Sequence, residues 1–255
     1  MLITTEGIVL RQRKIANNRR IIVIFTRNYG KISVGTGMNE RGKSKAALAL
    51  RPFTYAEYEI FKNRGYYNLN GATVRQSYYS VGEDIDRFLT ASRMIEYLDS
   101  TLEEEQVRQG EFDLTIEFFD ALTRARQNYS TIFYAFLVKS LRMNGVMPEI
   151  GRCVDCGKPV EQIKAEQGRV RSFSVSAGGI LCDNCVIQEK SAGETLIFSP
   201  DFDIVDVLAY FVDHPLSVFE RIGLKPAVEA ELRQILSEYL RFYLDVNLPE
   251  QDINL

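Results

Sequence analysis

The sequence predicts an α+β protein, a small five-stranded β-barrel followed by a helical domain that carries an inserted cysteine module. Three observations lead there. Over the first 75 residues apolar side chains fall at strand spacing between short turns. From about Gly82 the apolar period changes to 3.6. All four cysteines lie in two C-x-x-C pairs set between helical stretches. The expected domains are 1–80 for the barrel and 81–255 for the helices, with the cysteine module at about 150–190.

The first strand is centred on Ile8-Val9-Leu10 and runs into Arg11-Gln12-Arg13-Lys14. Asn17-Asn18 marks a turn. The next strand, Arg19 to Thr26, has a fully apolar centre and should be buried on both faces. Asn28-Tyr29-Gly30 turns the chain, and Ile32 and Val34 then alternate with Ser33, as a half-buried strand requires. Beyond a glycine-rich stretch come Phe53–Phe61 and Tyr66–Val74, separated by Asn63-Arg64-Gly65. Five short strands with a small helix or loop after the third match a Greek-key barrel of the OB type. An SH3-like barrel fits the pattern nearly as well.

The helical part shows successive stripes. Phe88, Ala91, Ile95, Leu98 and Leu102 form one, and Phe112, Thr115, Ile116, Phe119 and Leu122 another. Ile132, Phe133, Phe136, Leu137 and Leu141 form a third. These stripes read as core. Ser199-Pro200 is expected to open a helix through Val205, Leu208 and Phe211. Pro226 opens the last helix, which continues past Leu236 to Tyr243.

Cys153-Val154-Asp155-Cys156 is followed after 25 residues by Cys182-Asp183-Asn184-Cys185. One C-x-x-C pair brings two thiolates to one ion, and two pairs complete a tetrahedral Zn²⁺ site. Phe173-Ser174-Val175 and Ile180-Leu181 fit a small hairpin carrying the second pair, with Gly178-Gly179 before it. Four thiolates leave no open coordination position, so the zinc would be a single structural ion. Two disulfides or a thiol redox pair are the alternatives.

Composition excludes several classes. With 45% hydrophobic residues, seven prolines and 17 glycines, the chain is neither disordered nor collagen-like. Its apolar runs, such as Ile21 to Phe25, are far short of the roughly 20 residues of a bilayer span. Met1 to Glu6 lacks the pattern of a signal peptide, so a cytoplasmic location is expected. A single histidine, His214, excludes any His-pair metal site and reads as a capping or surface residue. The net charge of −3 hides an asymmetry. Residues 1–82 carry 14 basic side chains against four glutamates, and the remainder carries 17 basic against 30 acidic. That imbalance points to a polyanion partner for the N-terminal part. Glu103-Glu104-Glu105 reads as a solvated helix end or loop.

Gly37-Met38-Asn39-Glu40-Arg41-Gly42-Lys43-Ser44 matches the P-loop pattern letter for letter. Its context argues against nucleotide hydrolysis. The helix that would follow is cut off by Pro52, and both sides are β-meander rather than βαβ units. The alternative reading is a basic loop with Arg41, Lys43 and Lys45 available to other phosphates.

The order of features resembles the RecO family of bacterial recombination mediators. Glu6-Gly7-Ile8-Val9-Leu10 is similar to its opening strand, and Thr26 through Gly30-Lys31 to its T-x-x-x-G-K turn. Lys43-Ser44 with Leu50-Arg51-Pro52-Phe53 resembles its K-S…L-Q-P-F segment. The two cysteine pairs resemble its zinc region, and Leu232 to Leu244 its terminal helix. Where the family has acidic residues in the first hairpin, this chain has Asn17-Asn18-Arg19-Arg20. The resemblance implies a non-enzymatic, nucleoid-associated DNA repair and recombination protein of the RecFOR pathway. It implies binding of single- and double-stranded DNA and annealing of complementary strands, including strands coated by single-strand-binding protein. The implied partners are RecR, the C-terminal tail of single-strand-binding protein and, indirectly, RecA. An OB groove offers cationic walls and aromatic stacking platforms to a strand. The expected phosphate contacts are Arg11, Arg13, Lys14, Arg19, Arg20, Arg27, Lys31, Arg41, Lys43, Lys45 and Arg51, with Tyr29 stacking on a base. The alternatives are a zinc-stabilised RNA-binding or transcription factor without annealing activity, and a P-loop ATPase.

Overall fold

In the computed structural model, residues 1–15, 19–37, 45–63, 65–191, 193 and 196–248 are described. The chain forms two compact units, Met1–Arg124 and Ala125–Leu255. The change of apolar period at Gly82 separates strands from helices, but the next two helices cluster with the barrel. Taken whole, the first unit holds 18 basic and 16 acidic side chains, a net charge of only +2.

The barrel comprises β1 (Leu2–Lys14), β2 (Arg20–Thr26), β3 (Gly30–Thr36), β4 (Thr54–Asn63) and β5 (Tyr66–Ser77). It is closed in the order β1-β2-β3-β5-β4. β1 pairs antiparallel with both β2 and β4, while β3 meets β5 in a short parallel contact. That order is the five-stranded Greek-key barrel of the OB type. One long strand serves two neighbours because its halves face different partners. Leu2–Ile8 pairs with β4 and Gly7–Lys14 with β2, with a register shift between Val9 and Arg11. At the hand-over a Cβ on Gly7 would lie 2.7 Å from Ile24 Cγ2 and 2.9 Å from the Phe25 carbonyl oxygen. Only glycine lets the strands approach so closely.

The centre of β2 is buried on both faces, as its apolar run predicts. Ile22, Ile24, Ile32, Val34 and Ile60 fill the barrel. On the outer face Phe25 meets Phe112 edge-on at 5.4 Å. The helix after the third strand is α1 (Lys45–Ala49). It presents Ala47 and Ala49 to the core, and the Tyr58 hydroxyl donates to the Ala49 carbonyl at 2.7 Å. Five helical residues followed by an antiparallel strand are not the helix of a P-loop fold, and Met38 to Ser44 of that pattern lie outside the described residues.

Two longer helices complete the first unit. α2 (Ile85–Thr101) is capped by the Asp84 carboxylate, which accepts from the Arg87 N–H. Of its predicted stripe Ala91, Ile95 and Leu98 are buried, while Phe88 is 41% exposed. α3 (Gln109–Arg124) buries Phe112, Phe119 and Leu122.

In the second unit α4 (Tyr129–Met143) is buried nearly all round, consistent with the apolar run Ile132 to Val138 at its centre. α5 (Val160–Gln167) precedes the hairpin of β6 (Ser172–Ser174) and β7 (Gly179–Leu181), and α6 (Asp183–Ser191) follows it. β8 (Ile197–Phe198) adds to β6. Ser199-Pro200 does not open a helix, because the backbone is still leaving β8 there. α7 (Ile204–Asp213) starts at Asp203, whose carboxylate accepts from the N–H groups of Val205 and Asp206 at 3.0 and 3.2 Å. α8 (Pro226–Leu244) begins at Pro226 as predicted and buries Leu232, Ile235, Leu236, Tyr239 and Leu240. Among the described residues no helix is long and apolar enough to cross a membrane.

Candidate metal centre and nucleic-acid interface

The four cysteines converge, with every pair of sulfurs within 4.8 Å. Cys156 Sγ lies 3.8 Å from Cys182 Sγ, and Cys182 Sγ 3.5 Å from Cys185 Sγ. A tetrahedral ion with bonds of about 2.3 Å sets its sulfurs about 3.8 Å apart. The donor set therefore fits one four-coordinate ion, and no two sulfurs are close enough for a disulfide. Cys153, Cys182 and Cys185 are buried while Cys156 is exposed.

Local backbone geometry builds the centre. The first pair turns through Gly157 at φ +75°, whose N–H donates to the Cys153 carbonyl at 2.9 Å. Val154 N–H bonds the Ile180 carbonyl at 2.9 Å, which ties this knuckle to β7. Cys182 directly follows that strand and donates its N–H to Cys153 Sγ at 3.4 Å, and Cys185 sits in the first turn of α6. Burial works against a Cys153 thiolate, but the N–H groups of Cys156, Cys182 and Asp155 outweigh it and lower its pKa to about 7. Burial, the Asp155 carboxylate and the neighbouring thiols push Cys185 upward. Several buried thiolates side by side need a cation to balance their charge.

A second feature lies on the barrel. A groove of about 650 Å³ runs beside β2 and β3, bordered by the ends of the β1–β2 and β4–β5 connections. Arg19, Arg20, Ile21, Gly35, Tyr66 and Tyr67 line it. This is the face on which OB folds hold oligonucleotides. Tyr66 is 76% exposed beside the groove, a flat ring in reach of a strand.

The twelve sequence candidates have different surroundings. Arg13 and Lys14, at the end of β1, and Arg19, which lines the groove, are exposed with no partner among the described residues, and Arg20 lines the groove as a largely buried side chain that donates to Gln12 at 3.2 Å. Three others are engaged by α2 or α3, Arg11 while still exposed. Arg11 pairs with Asp99 at 2.7 Å. Lys31 is buried and donates to the Asp99 carbonyl at 2.7 Å. Arg27 is held by Glu6 at 2.8 Å and Asp113 at 2.6 Å, above the Phe112 ring at 4.9 Å. Arg51 borders a separate apolar pocket of about 460 Å³ with Phe53, Tyr79 and Phe88. Arg41, Lys43 and the Lys45 side chain lie outside the described residues. Tyr29 packs against the barrel core, its N–H donating to Thr26 Oγ1 at 3.1 Å.

Tyr66 was not among the candidates. It follows Gly65, but a tyrosine beside a turn glycine is no signal of exposure in the sequence, and only the fold shows its ring in the open.

Comparison with known proteins covers both units. The model described as recombination protein O N terminal matches residues 1–78, and that described as recombination protein O C terminal matches 82–252. A DNA repair protein RecO from Alkaliphilus metalliredigens (strain QYMF) is 28% identical over 245 residues, covering 96% of this chain and 95% of the relative. The DNA repair protein RecO of Bacillus pumilus (strain SAFR-032) is 28% identical over 243 residues, 95% of this chain and 90% of that protein. That of Caldanaerobacter subterraneus subsp. tengcongensis is 27% identical over 248 residues, 97% and 95% respectively. With barrel, helices and cysteine module all inside the matched span, the chain belongs to the RecO family of DNA repair proteins.

Proposed function

We propose that this chain is a recombination mediator that binds single- and double-stranded DNA and anneals complementary strands, including strands coated by single-strand-binding protein. With RecR it helps to load RecA. The observation that carries the reading is the barrel groove, where Arg19 and Arg20 stand beside the exposed Tyr66. Phosphates meet the cations of Arg13, Lys14, Arg19 and Arg20, and a base stacks on Tyr66. Phosphate and stacking contacts carry no base identity, so little sequence preference is expected. Annealing breaks no covalent bond. The protein holds two strands close and lowers their repulsion, and base pairing supplies the free energy.

Cys153, Cys156, Cys182 and Cys185 would hold one structural Zn²⁺. Bound there, the ion would fix the β6–β7 hairpin, which has only three residues per strand.

The test is annealing of two bare complementary oligonucleotides by the wild-type chain and by Tyr66→Ala and Arg19→Glu. Wild type should accelerate annealing without nucleotide, and both variants should lose most of that acceleration. Equal rates with wild type, Tyr66→Ala and Arg19→Glu would remove the groove from the account.

A further inference from the structure

Glu103 to Glu105 form the acidic triplet that the sequence presents as a solvated helix end. In the structure this segment lies against the barrel. Glu104 pairs in parallel with Lys31 of β3, and the Glu105 N–H donates to the Lys31 carbonyl at 2.9 Å. Gln106 follows so closely that a Cβ on Gly30 would stand 2.1 Å from its carbonyl oxygen. Glu105 itself has φ +58°, a left-handed conformation that a side-chain-bearing residue keeps only where its surroundings hold it.

The carboxylates make specific contacts. Ser33 Oγ donates to Glu104 Oε1 at 3.2 Å, and the Tyr67 hydroxyl to Glu105 Oε1 at 2.8 Å. Lys62 Nζ lies 3.9 Å from Glu105 Oε2 and 4.9 Å above the Tyr67 ring. Ser33 and Tyr67 both line the groove. Tyr67 and Lys62 thus serve one carboxylate and Ser33 the adjacent one, two hydroxyl donors and an ammonium set against acceptor-only anions beside the groove. A phosphodiester asks for the same set, an anion offering only acceptor oxygens.

We propose that Ser33, Lys62 and Tyr67 form a phosphate subsite of the groove, and that Glu104 and Glu105 occupy it as an intramolecular stand-in for the DNA backbone. The inference rests on the groove reading above. A strand that uses the subsite must displace the strap, so the apparent affinity is divided by the fraction of time the subsite is free.

The experiment measures binding of labelled oligo(dT) to the full chain. Glu104→Gln/Glu105→Gln should bind about tenfold more tightly, the gain expected if the strap is seated about nine-tenths of the time. Glu83→Gln/Glu96→Gln is the control. It makes the same charge change at exposed carboxylates with no partner among the described residues, and it should gain less than about twofold from general electrostatics. Lys62→Ala should cost less than about twofold in wild type and about fivefold or more once the strap is neutralised. The inference is overturned if the strap variant binds like wild type, if the control gains as much, or if Lys62→Ala costs the same in both backgrounds. Tyr66→Ala separates the two levels. If it weakens binding while strap neutralisation changes nothing, only the subsite fails. If Tyr66→Ala binds like wild type, the groove reading fails and the subsite with it. Matching thermal midpoints among the variants establish that each is folded.

Discussion

Replacing Arg13, Lys14 and Arg19 together by alanine tests how this barrel holds a polyanion. Of the candidate cations in the described residues, Arg19 and Arg20 line the groove and Arg13 and Lys14 are exposed at the end of β1, while Arg11, Arg27 and Lys31 are engaged by Asp99, Glu6 and Asp113. Each phosphate neutralised on a single strand contributes about −0.7 to the slope of log K against log salt. Four contacts give a slope of about −2.8, and the triple variant should fall to about −0.7. If the counterion term vanishes near 1 M salt, the lost slope of about 2.1 weakens binding about 50-fold at 0.15 M and about 7-fold at 0.4 M. The assay is anisotropy of labelled oligo(dT) titrated across that salt range, with Arg27→Ala in parallel. The Arg27 guanidinium already has two carboxylate partners, so its loss should leave the slope unchanged and lower the stability of the first unit instead. The reasoning is refuted if the triple variant keeps the wild-type slope, or if Arg27→Ala flattens it equally.

Other consequences are open to measurement. Tyr66→Ala should weaken oligo(dT) binding by about 1–3 kcal/mol for one stacked base with an unchanged thermal midpoint, whereas Tyr29→Ala should lower the midpoint because that ring packs on the barrel core. Cys153→Ser should reduce zinc below one ion per chain by metal analysis and destabilise the second unit, because site formation of this kind supplies about 10–16 kcal/mol of apparent folding free energy; an unchanged zinc content would remove the metal assignment. Glu6 is held below its ordinary pKa of 4.5 by the Tyr55 hydroxyl and, against the effect of burial, by Arg27. Its stabilisation is therefore complete above that value and is lost as pH falls through the lower folded value. Glu6→Gln should be about 0.5–1 kcal/mol less stable than wild type near pH 7, with the gap closing in acid; a gap that stays constant with pH would contradict the assignment.

The strand pattern of the barrel was legible because each strand announces itself locally, by alternation or by an apolar run such as Ile21 to Phe25. The barrel order was not. The β3–β5 and β1–β4 pairings join segments far apart in the chain, and no local pattern records them. The metal ligands were legible for the opposite reason, since two C-x-x-C pairs carry their geometry in their spacing. Charge was the most misleading signal. Residues 1–82 are strongly basic by count, yet Asp99, Glu104, Glu105 and Asp113 return to the barrel and engage its side chains. The two tyrosines show the same limit at one residue. Tyr29 precedes a turn glycine and Tyr66 follows one, and only the folded barrel distinguishes the packed ring from the exposed one. Ser199-Pro200 had the chemistry of a helix start, but β8 carried the backbone past it to Asp203.

The most direct measurement is annealing of complementary oligonucleotides first coated with their cognate single-strand-binding protein, in the absence of nucleotide. Acceleration by the wild-type chain that fades as salt rises, and that the Arg13, Lys14 and Arg19 triple variant loses, is the predicted result. No acceleration, or acceleration that requires ATP hydrolysis, would contradict a mediator acting through the barrel groove.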